Sequence, residues 1–350
     1  MRPFHLTAIL DREFLSTAAG KSTPVMVWGP PGIGKSQIVA RVAKQHNVPV
    51  IDVRLSQMEP TDLRGIPFRD GDHVVWSIPA LLPNAAKHGA RGILFLDEIT
   101  SAPPTVTAAA YQLILDRRLG EYRVPEGWAI FAAGNRHGDR GVTYAMPAPL
   151  ANRFTHYDLE AHLDDWIAWA YQHDIDERVI AFLNFRPELL FEMKSSATLA
   201  AFPSPRTWEY ASRALKKFGD APELLLDGLQ ASVGAAAGIE FKAFMDHIRD
   251  LPDIEAIAQG RSNVMPGAID LQYAVASSLV RRVVRESGKP NGDTMIGNVL
   301  RYAQLFPQRE LGVMLVSDLQ RAIGVPLFDR PEFSEWASSI SDLLMYRQGH

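Results

Sequence analysis

The sequence predicts an α/β fold in which a parallel sheet carries a phosphate-binding loop and is followed by helices alone. Three observations predict it. Gly29-Pro30-Pro31-Gly32-Ile33-Gly34-Lys35-Ser36 lies between an apolar run, Pro24-Val-Met-Val-Trp28, and the amphipathic stretch Gln37-Ile-Val-Ala-Arg-Val-Ala43. Short apolar runs then alternate with helical patterns to about residue 160, the mark of a doubly wound sheet. From Asp164 onward the apolar spacing is helical throughout.

Composition bounds the reading. The chain has 350 residues, 47% hydrophobic and 22% charged, which suits a globular protein with an ample core. A formal net charge of -4 gives no global basic field for nucleic acid. Cysteine is absent, which excludes disulfides, thiolate nucleophiles and cysteine-ligated zinc. The N-terminus, Met1-Arg-Pro-Phe-His5, has no long apolar stretch, and no run of about 18 apolar residues occurs anywhere. The expectation is a cytoplasmic protein with no signal peptide and no membrane span. The ten histidines show no metal-ligand spacing.

In chain order, residues 1–23 read as an entry segment with a short helix around Ala8 to Ala19. After the phosphate loop, the helix stops near His46-Asn47, with Pro49 just beyond. Val50-Ile-Asp-Val-Arg-Leu55 is the next strand. Phe68 to Trp76, with Asp-Gly between apolar positions, predicts a hairpin. Gly92-Ile-Leu-Phe-Leu96 is a continuous apolar run, hence a strand buried on both faces, and it ends in Asp97-Glu98. Pro103-Pro104 opens a helix that runs through Leu115. Trp128-Ala-Ile-Phe-Ala-Ala133 is another buried strand, ending at Gly134-Asn135, and a short strand follows at His156 to Leu159. In the helical part, Trp166, Ile167, Trp169 and Ala170 share one face. Phe182, Leu183, Leu189 and Leu190 mark a second helical region broken by Pro187, and Ser204-Pro-Arg-Thr-Trp208 opens a third. Asp250-Leu-Pro-Asp253 and Lys289-Pro-Asn-Gly292 read as linkers.

Two glycines with four residues between them, followed by Lys and Ser between a strand and a helix, make a Walker A loop. Glycines let backbone N–H groups face phosphates, and the helix N-terminus adds partial positive charge. Gly29, Pro30, Pro31, Gly32, Ile33, Gly34, Lys35, Ser36 and Gln37 are therefore the candidate ATP contacts. Lys35 is placed to reach the β- and γ-phosphates, and the Ser36 hydroxyl to ligate Mg²⁺. Leu96-Asp97-Glu98 is a Walker B end, with Asp97 on the metal and Glu98 polarising the attacking water. Asn135, at a third strand end, is a candidate for that water or the γ-phosphate. The carboxyl ends of parallel strands form one edge, so Ser36, Asp97 and Asn135 are predicted to meet.

These motifs, in this order and at these gaps, resemble an AAA+ ATPase, and within that class the MoxR family of the dynein-related group. The discriminating stretch is Pro60-Thr-Asp-Leu-Arg-Gly65 with the hairpin ending in Trp76-Ser-Ile-Pro79, ahead of Walker B. It resembles the helix-2 insert of MoxR proteins. Ala133-Gly-Asn135, Leu150-Ala-Asn-Arg-Phe154 and Ser204-Pro-Arg206 complete the pattern, which covers about Val25 to Trp208. The resemblance implies an AAA+ sheet domain over residues 1–160, with the insert at about 60–83. An all-α lid at 161–248 and a helical C-terminal extension at 249–350 follow. It also implies that Asn135 is sensor 1, Arg206 is sensor 2 and Arg153 is an arginine finger lent to a neighbouring subunit. Arg136 and Arg140 are alternatives for the finger. A polar switch residue is expected at Arg54 or Ser56. Implied partners are further copies of the chain in a hexameric ring, a von Willebrand factor A domain protein, and a client complex to be remodelled. Three other readings stay open: a nucleic-acid-dependent motor or loader, a module that uses ATP as a scaffold only, and a small-molecule kinase.

Overall fold

The computed structural model describes residues 1–139, 143–193, 201–324 and 327–340. The chain divides into two compact units, residues 1–161 and the residues from 162 on.

The first unit opens with helix α1 (Pro3–Ser16) and strand β1 (Val25–Trp28). Helix α2 (Lys35–Gln45) and strand β2 (Val50–Arg54) follow. Next come α3 (Pro60–Arg64), the hairpin β3 (Pro67–Asp70) and β4 (His73–Trp76), and α4 (Ala85–His88). Strand β5 (Arg91–Asp97) leads to α5 (Pro104–Leu115) and the small ladder of β6 (Arg118–Leu119) and β7 (Tyr122–Arg123). Strand β8 (Gly127–Gly134), α6 (Ala148–Ala151) and β9 (Thr155–Asp158) close it. The entry helix starts earlier than the predicted Ala8. Pro3 occupies its first position, where a missing N–H costs nothing. Thr17–Ala19 tighten into a 3-10 turn that Gly20 ends in the left-handed region.

Five parallel strands form the sheet, in the order β2-β5-β8-β1-β9. Its central strands are buried almost throughout, which is why β5 and β8 read as unbroken apolar runs. One face packs on α5: Leu94, Leu96, Ile130 and Ala132 meet Val106, Ala109, Ala110 and Leu113. Gly92 is required there, because a Cβ would lie 2.6 Å from the Trp128 ring. The register fixes the functional edge. Trp28 is level with Gly134 and with Asp158, and Arg54 is level with Asp97. The predicted hairpin forms, pairing Pro67 with Trp76 and Asp70 with His73.

The second unit begins with α7 (Leu163–Gln172), α8 (Glu177–Phe185), α9 (Pro205–Phe218), α10 (Pro222–Val233) and α11 (Ala235–His247). It continues through α12 (Ile254–Ala258), α13 (Ile269–Glu286), α14 (Gly292–Tyr302), α15 (Arg309–Ile323) and α16 (Pro331–Ser339). On α7 the buried face is Trp166, Ile167, Ala170 and Tyr171. Trp169, expected on that face, instead lies partly exposed and stacks on His173, with centroids 4.6 Å apart. A step of one residue along a helix turns 100°, so Tyr171 falls on the stripe and Trp169 at its margin. Trp208 is fully buried among Phe182 and Phe241, and its indole N–H donates to the Leu189 carbonyl at 2.6 Å. The expected boundary near 248 falls between α11 and α12, inside this unit, where α13 packs along α8. Among the described residues, no helix is long and apolar enough to cross a membrane.

The second unit also buries a carboxyl group. Asp318 on α15 is 3% exposed. It accepts from Asn184 Nδ2 on α8 at 3.2 Å and lies 3.4 Å from the Arg321 guanidinium, which also reaches Asp164 on α7. Burial pushes its carboxyl up to about 7 from an ordinary 3.8; Arg321 and Asn184 pull it down and Asp164 pushes it further up. The folded state therefore holds a proton that the unfolded chain releases at lower pH. Stability from this group is full below the unfolded value and is lost as pH rises through 7. Asp318→Asn is expected to gain on the order of 1–3 kcal/mol over the parent at pH 8 and little at pH 4. Urea midpoints at the two pH values check this; equal gains at both would contradict it.

Candidate active site

The phosphate loop bridges β1 and α2. Gly32 and Gly34 have φ of 83° and 97°, a region in which side chains are strained. At Gly29 a Cβ would lie 2.6 Å from Ile33 Cδ1 and 2.8 Å from the Leu159 carbonyl, so only glycine fits. Gly34 is the N-cap of α2, with no side chain of its own to satisfy the first helical N–H groups. Those donors are left for an anion. The Gly29 N–H donates to the Gly134 carbonyl at 3.2 Å, tying the loop to the end of β8. Lys35 curls back over the loop. Its ammonium donates to the Gly29 carbonyl, to the Pro30 carbonyl at 3.0 Å and to Asn135 Oδ1 at 3.0 Å.

Beside it, Ser36 Oγ donates to Asp97 Oδ2 at 2.9 Å. The other Asp97 oxygen accepts from the Glu98 N–H at 2.8 Å. Glu98 has φ of 57°, and its carboxylate accepts from Ser56 Oγ. Asn135 is held from behind by Thr100, which is buried: the Asn135 N–H donates to Thr100 Oγ1 at 3.0 Å, and Thr100 Oγ1 donates to the Asn135 carbonyl at 3.2 Å. Burial, then the charge of Asp97, pushes the Asp52 carboxyl up; Arg54 opposes this and Glu98 adds to it. The edge thus concentrates negative charge beside the Ser36 hydroxyl and the Lys35 ammonium. That donor set fits Mg²⁺, which takes one or two carboxylates and completes its shell with waters and substrate phosphates. Among the described residues no group of three or more His, Cys, Asp or Glu forms a protein-only metal cage. A cation here would be held partly by phosphate oxygens.

Lys35, Ser36, Asp97, Glu98 and Asn135 therefore meet at one edge, linked through hydrogen bonds. Gln37 lies in the first turn of α2 and is exposed. Arg153 follows α6, exposed, with no side-chain partner among the described residues, and it takes no part in that network. Arg136 is engaged within its own chain: Nε and Nη2 both lie 2.8 Å from Asp158 Oδ1. Arg140 lies outside the described residues. Arg206 is the second residue of α9, behind the Ser204 cap, and is exposed in the second unit. Between the two switch candidates, Ser56 reaches Glu98, whereas Arg54 leans toward Asp52 at 3.9 Å. Thr100 and Asp52 were not singled out from the sequence. A polar residue three positions past a buried strand was the signal for Thr100, and an acid at an alternate position of β2 was the signal for Asp52.

The family described as AAA domain (dynein-related subfamily) matches residues 24–154. Protein NorQ of Paracoccus denitrificans is 32% identical over 118 residues, which are 33% of this chain and 43% of NorQ. The denitrification regulatory protein NirQ of Pseudomonas aeruginosa is 30% identical over 117 residues, 33% of this chain and 44% of NirQ. The chain thus spans less than half the length of these relatives. Among solved structures, the RuvB Holliday junction branch migration motor of Thermotoga maritima aligns over 79% of this chain and 80% of its own. The identity is 14% and the TM-score 0.37, so the two superpose only loosely. Residues 24–154, with their phosphate loop and acidic strand end, thus match the AAA domain of the dynein-related subfamily.

Proposed function

We propose that the chain hydrolyses ATP to ADP and phosphate with Mg²⁺, as a closed ring, and spends the cycle on remodelling a partner protein complex. The observation that carries the hydrolysis is the convergence of Lys35, Ser36, Asp97, Glu98 and Asn135 on one sheet edge. Lys35 exchanges its loop carbonyls for the β- and γ-phosphates. Ser36 and Asp97 are the residues that would hold Mg²⁺, whose chemistry is to offset charge on the phosphates. Glu98 and Asn135 orient water for in-line attack on the γ-phosphorus.

Arg153 is the preferred trans arginine. An arginine offered to a neighbour has to be exposed and uncommitted at home; Arg153 is exposed and has no side-chain partner among the described residues, whereas Arg136 is held by Asp158. Such a residue contributes about 10³- to 10⁵-fold in rate, roughly 4–7 kcal/mol. That dependence is the reason for a ring, a hexamer by family resemblance. Arg206 is proposed as sensor 2, carried by a lid of residues 161–248, with residues 249–350 as its extension. Ser56 is proposed as the switch, holding Glu98 away from water until the γ-phosphate arrives. The von Willebrand factor A partner and the client rest on the resemblance, as does a cytoplasmic location.

Arg153→Ala is expected to lower kcat by about 10³-fold or more with ATP affinity kept, and turnover per subunit of the parent should fall on dilution. Steady-state ATPase, nucleotide titration and light scattering check this. A turnover that stays flat on dilution and survives Arg153→Ala would end the ring reading.

Ser56→Ala should raise basal turnover, by up to about tenfold, since a hydrogen bond to a charged group is worth about 1.5 kcal/mol or more. Removing residues 69–75 at the hairpin tip should spare basal ATPase and abolish stimulation by a partner protein. Parallel assays with and without partner separate the two.

A further inference from the structure

The guanidinium of Arg153 has no partner among the described residues, yet the backbone that presents it is tied to the root of the phosphate loop. Trp28 is the last residue of β1 and directly precedes Gly29. Its indole N–H donates to His156 Nδ1 at 2.8 Å, across 128 residues of sequence. An indole nitrogen only donates, so Nδ1 must be the accepting nitrogen. The proton of a neutral ring then sits on Nε2, which lies 2.7 Å from the Ala151 carbonyl and donates to it. Ala151 is the last residue of α6, two before Arg153. The imidazole thus spans from the loop root to the segment that carries the arginine, with each nitrogen committed to one side.

The same ring lies exposed beside two aromatic neighbours. It lies at 16° to the Trp28 indole, centroids 5.9 Å apart, and meets the Phe154 ring edge-on at 6.2 Å. Phe154 is buried, and it is the residue next to Arg153. Leu150 and Phe154 anchor the segment in the core and Thr155 N–H donates to the Pro24 carbonyl at 2.9 Å, while between them the turn holds itself by main-chain bonds such as Arg153 N–H to the Leu150 carbonyl at 3.0 Å. A four-residue helix, α6, does not hold a geometry unaided.

We propose that His156 is a positioning residue for the trans arginine: through Trp28 on one nitrogen and Ala151 on the other, it sets where a subunit presents Arg153 to its neighbour. This rests on the reading of Arg153 as the lent arginine. It goes further in joining each subunit's own phosphate loop to the arginine that it gives away, so that a shift at Trp28-Gly29 is passed to the next site.

Loss of both hydrogen bonds should leave the subunit's own pocket intact and misplace what it offers. A misplacement of about 1 Å costs about 10²-fold, so His156→Ala should lower kcat by about 10- to 100-fold, with ATP affinity and thermal melting near those of the parent. The discriminating measurement is ATPase in mixed assemblies. His156→Ala subunits keep a working pocket, and Glu98→Gln subunits keep a well-placed arginine. Mixed, they should hydrolyse faster than the sum of the two alone, as should Arg153→Ala mixed with Glu98→Gln. Recovery with Arg153→Ala but not with His156→Ala would overturn this proposal alone, by placing His156 in the service of its own pocket. Recovery with neither would overturn the lent arginine, and this proposal with it. Should His156→Ala fail to fold, His156→Asn and His156→Gln serve in the same mixtures. The first keeps an acceptor near the Nδ1 position and the second a donor near Nε2, and each is expected to restore part of kcat; full parental turnover in both would also overturn the proposal.

Discussion

Everything at the site depends on the parallel register of the central strands. Because Trp28 is level with Gly134, the loop that leaves β1 rises beside the Asn135 that leaves β8. Because β5 lies on the far side of β8, Asp97 is brought to Ser36, at the start of the helix that follows the loop. A slip of one residue in any of these strands would turn its side chains to the other face and separate the pairs. The buried, near-continuous apolar faces of β5 and β8 make that slip costly. The precision of the site is thus supplied by the core that the strands share, and the loops only inherit it.

Charge is arranged around the same edge with a clear imbalance. Burial, and after it the Asp97 and Glu98 carboxylates, push the Asp52 carboxyl up against the pull of Arg54. The Lys35 ammonium is occupied by loop carbonyls and Asn135. In the proposed cycle, a nucleotide with its metal brings what each side lacks: phosphate oxygens for Lys35 and the N–H groups of the loop, and positive charge for Asp97. Binding would then reorganise the network rather than fill a finished pocket, which suits a machine whose sites report their occupancy.

Much of this was legible in the sequence. The loop, the acidic end of Gly92–Leu96 and the asparagine after Trp128–Ala133 are motifs whose neighbours carry strand and helix periods, and parallel topology then brings them together. The start of α1 and the face of Trp169 were misplaced, because caps and stripe margins turn on single residues. Three contacts could not have been read. Ser56 against Glu98, Thr100 behind Asn135 and His156 between Trp28 and Ala151 join residues whose separation is set by the fold. None has a spacing rule, and serine, threonine and histidine are ordinary in loops. Choosing Ser56 over Arg54 required knowing which way the chain turns after β2.

Glu98 gives this arrangement its mechanical logic. A non-glycine residue at φ of 57° costs of order 1 kcal/mol or more and persists only where its surroundings hold it. Here the holding bond is Glu98 N–H to the Asp97 carboxylate, the same group that accepts from Ser36. The backbone of Glu98 is therefore fixed by the residue proposed to carry the metal. If the backbone is pinned, the freedom left to Glu98 is rotation of its side chain, between Ser56 and the water it is proposed to orient. Such a rotation is small, local and reversible, and its resting partner lies on the stretch that joins β2 to α3 and the hairpin. In the proposed cycle, a pull on the hairpin would reach Glu98 by way of this stretch and the Ser56 hydroxyl, without altering the loop or the sheet.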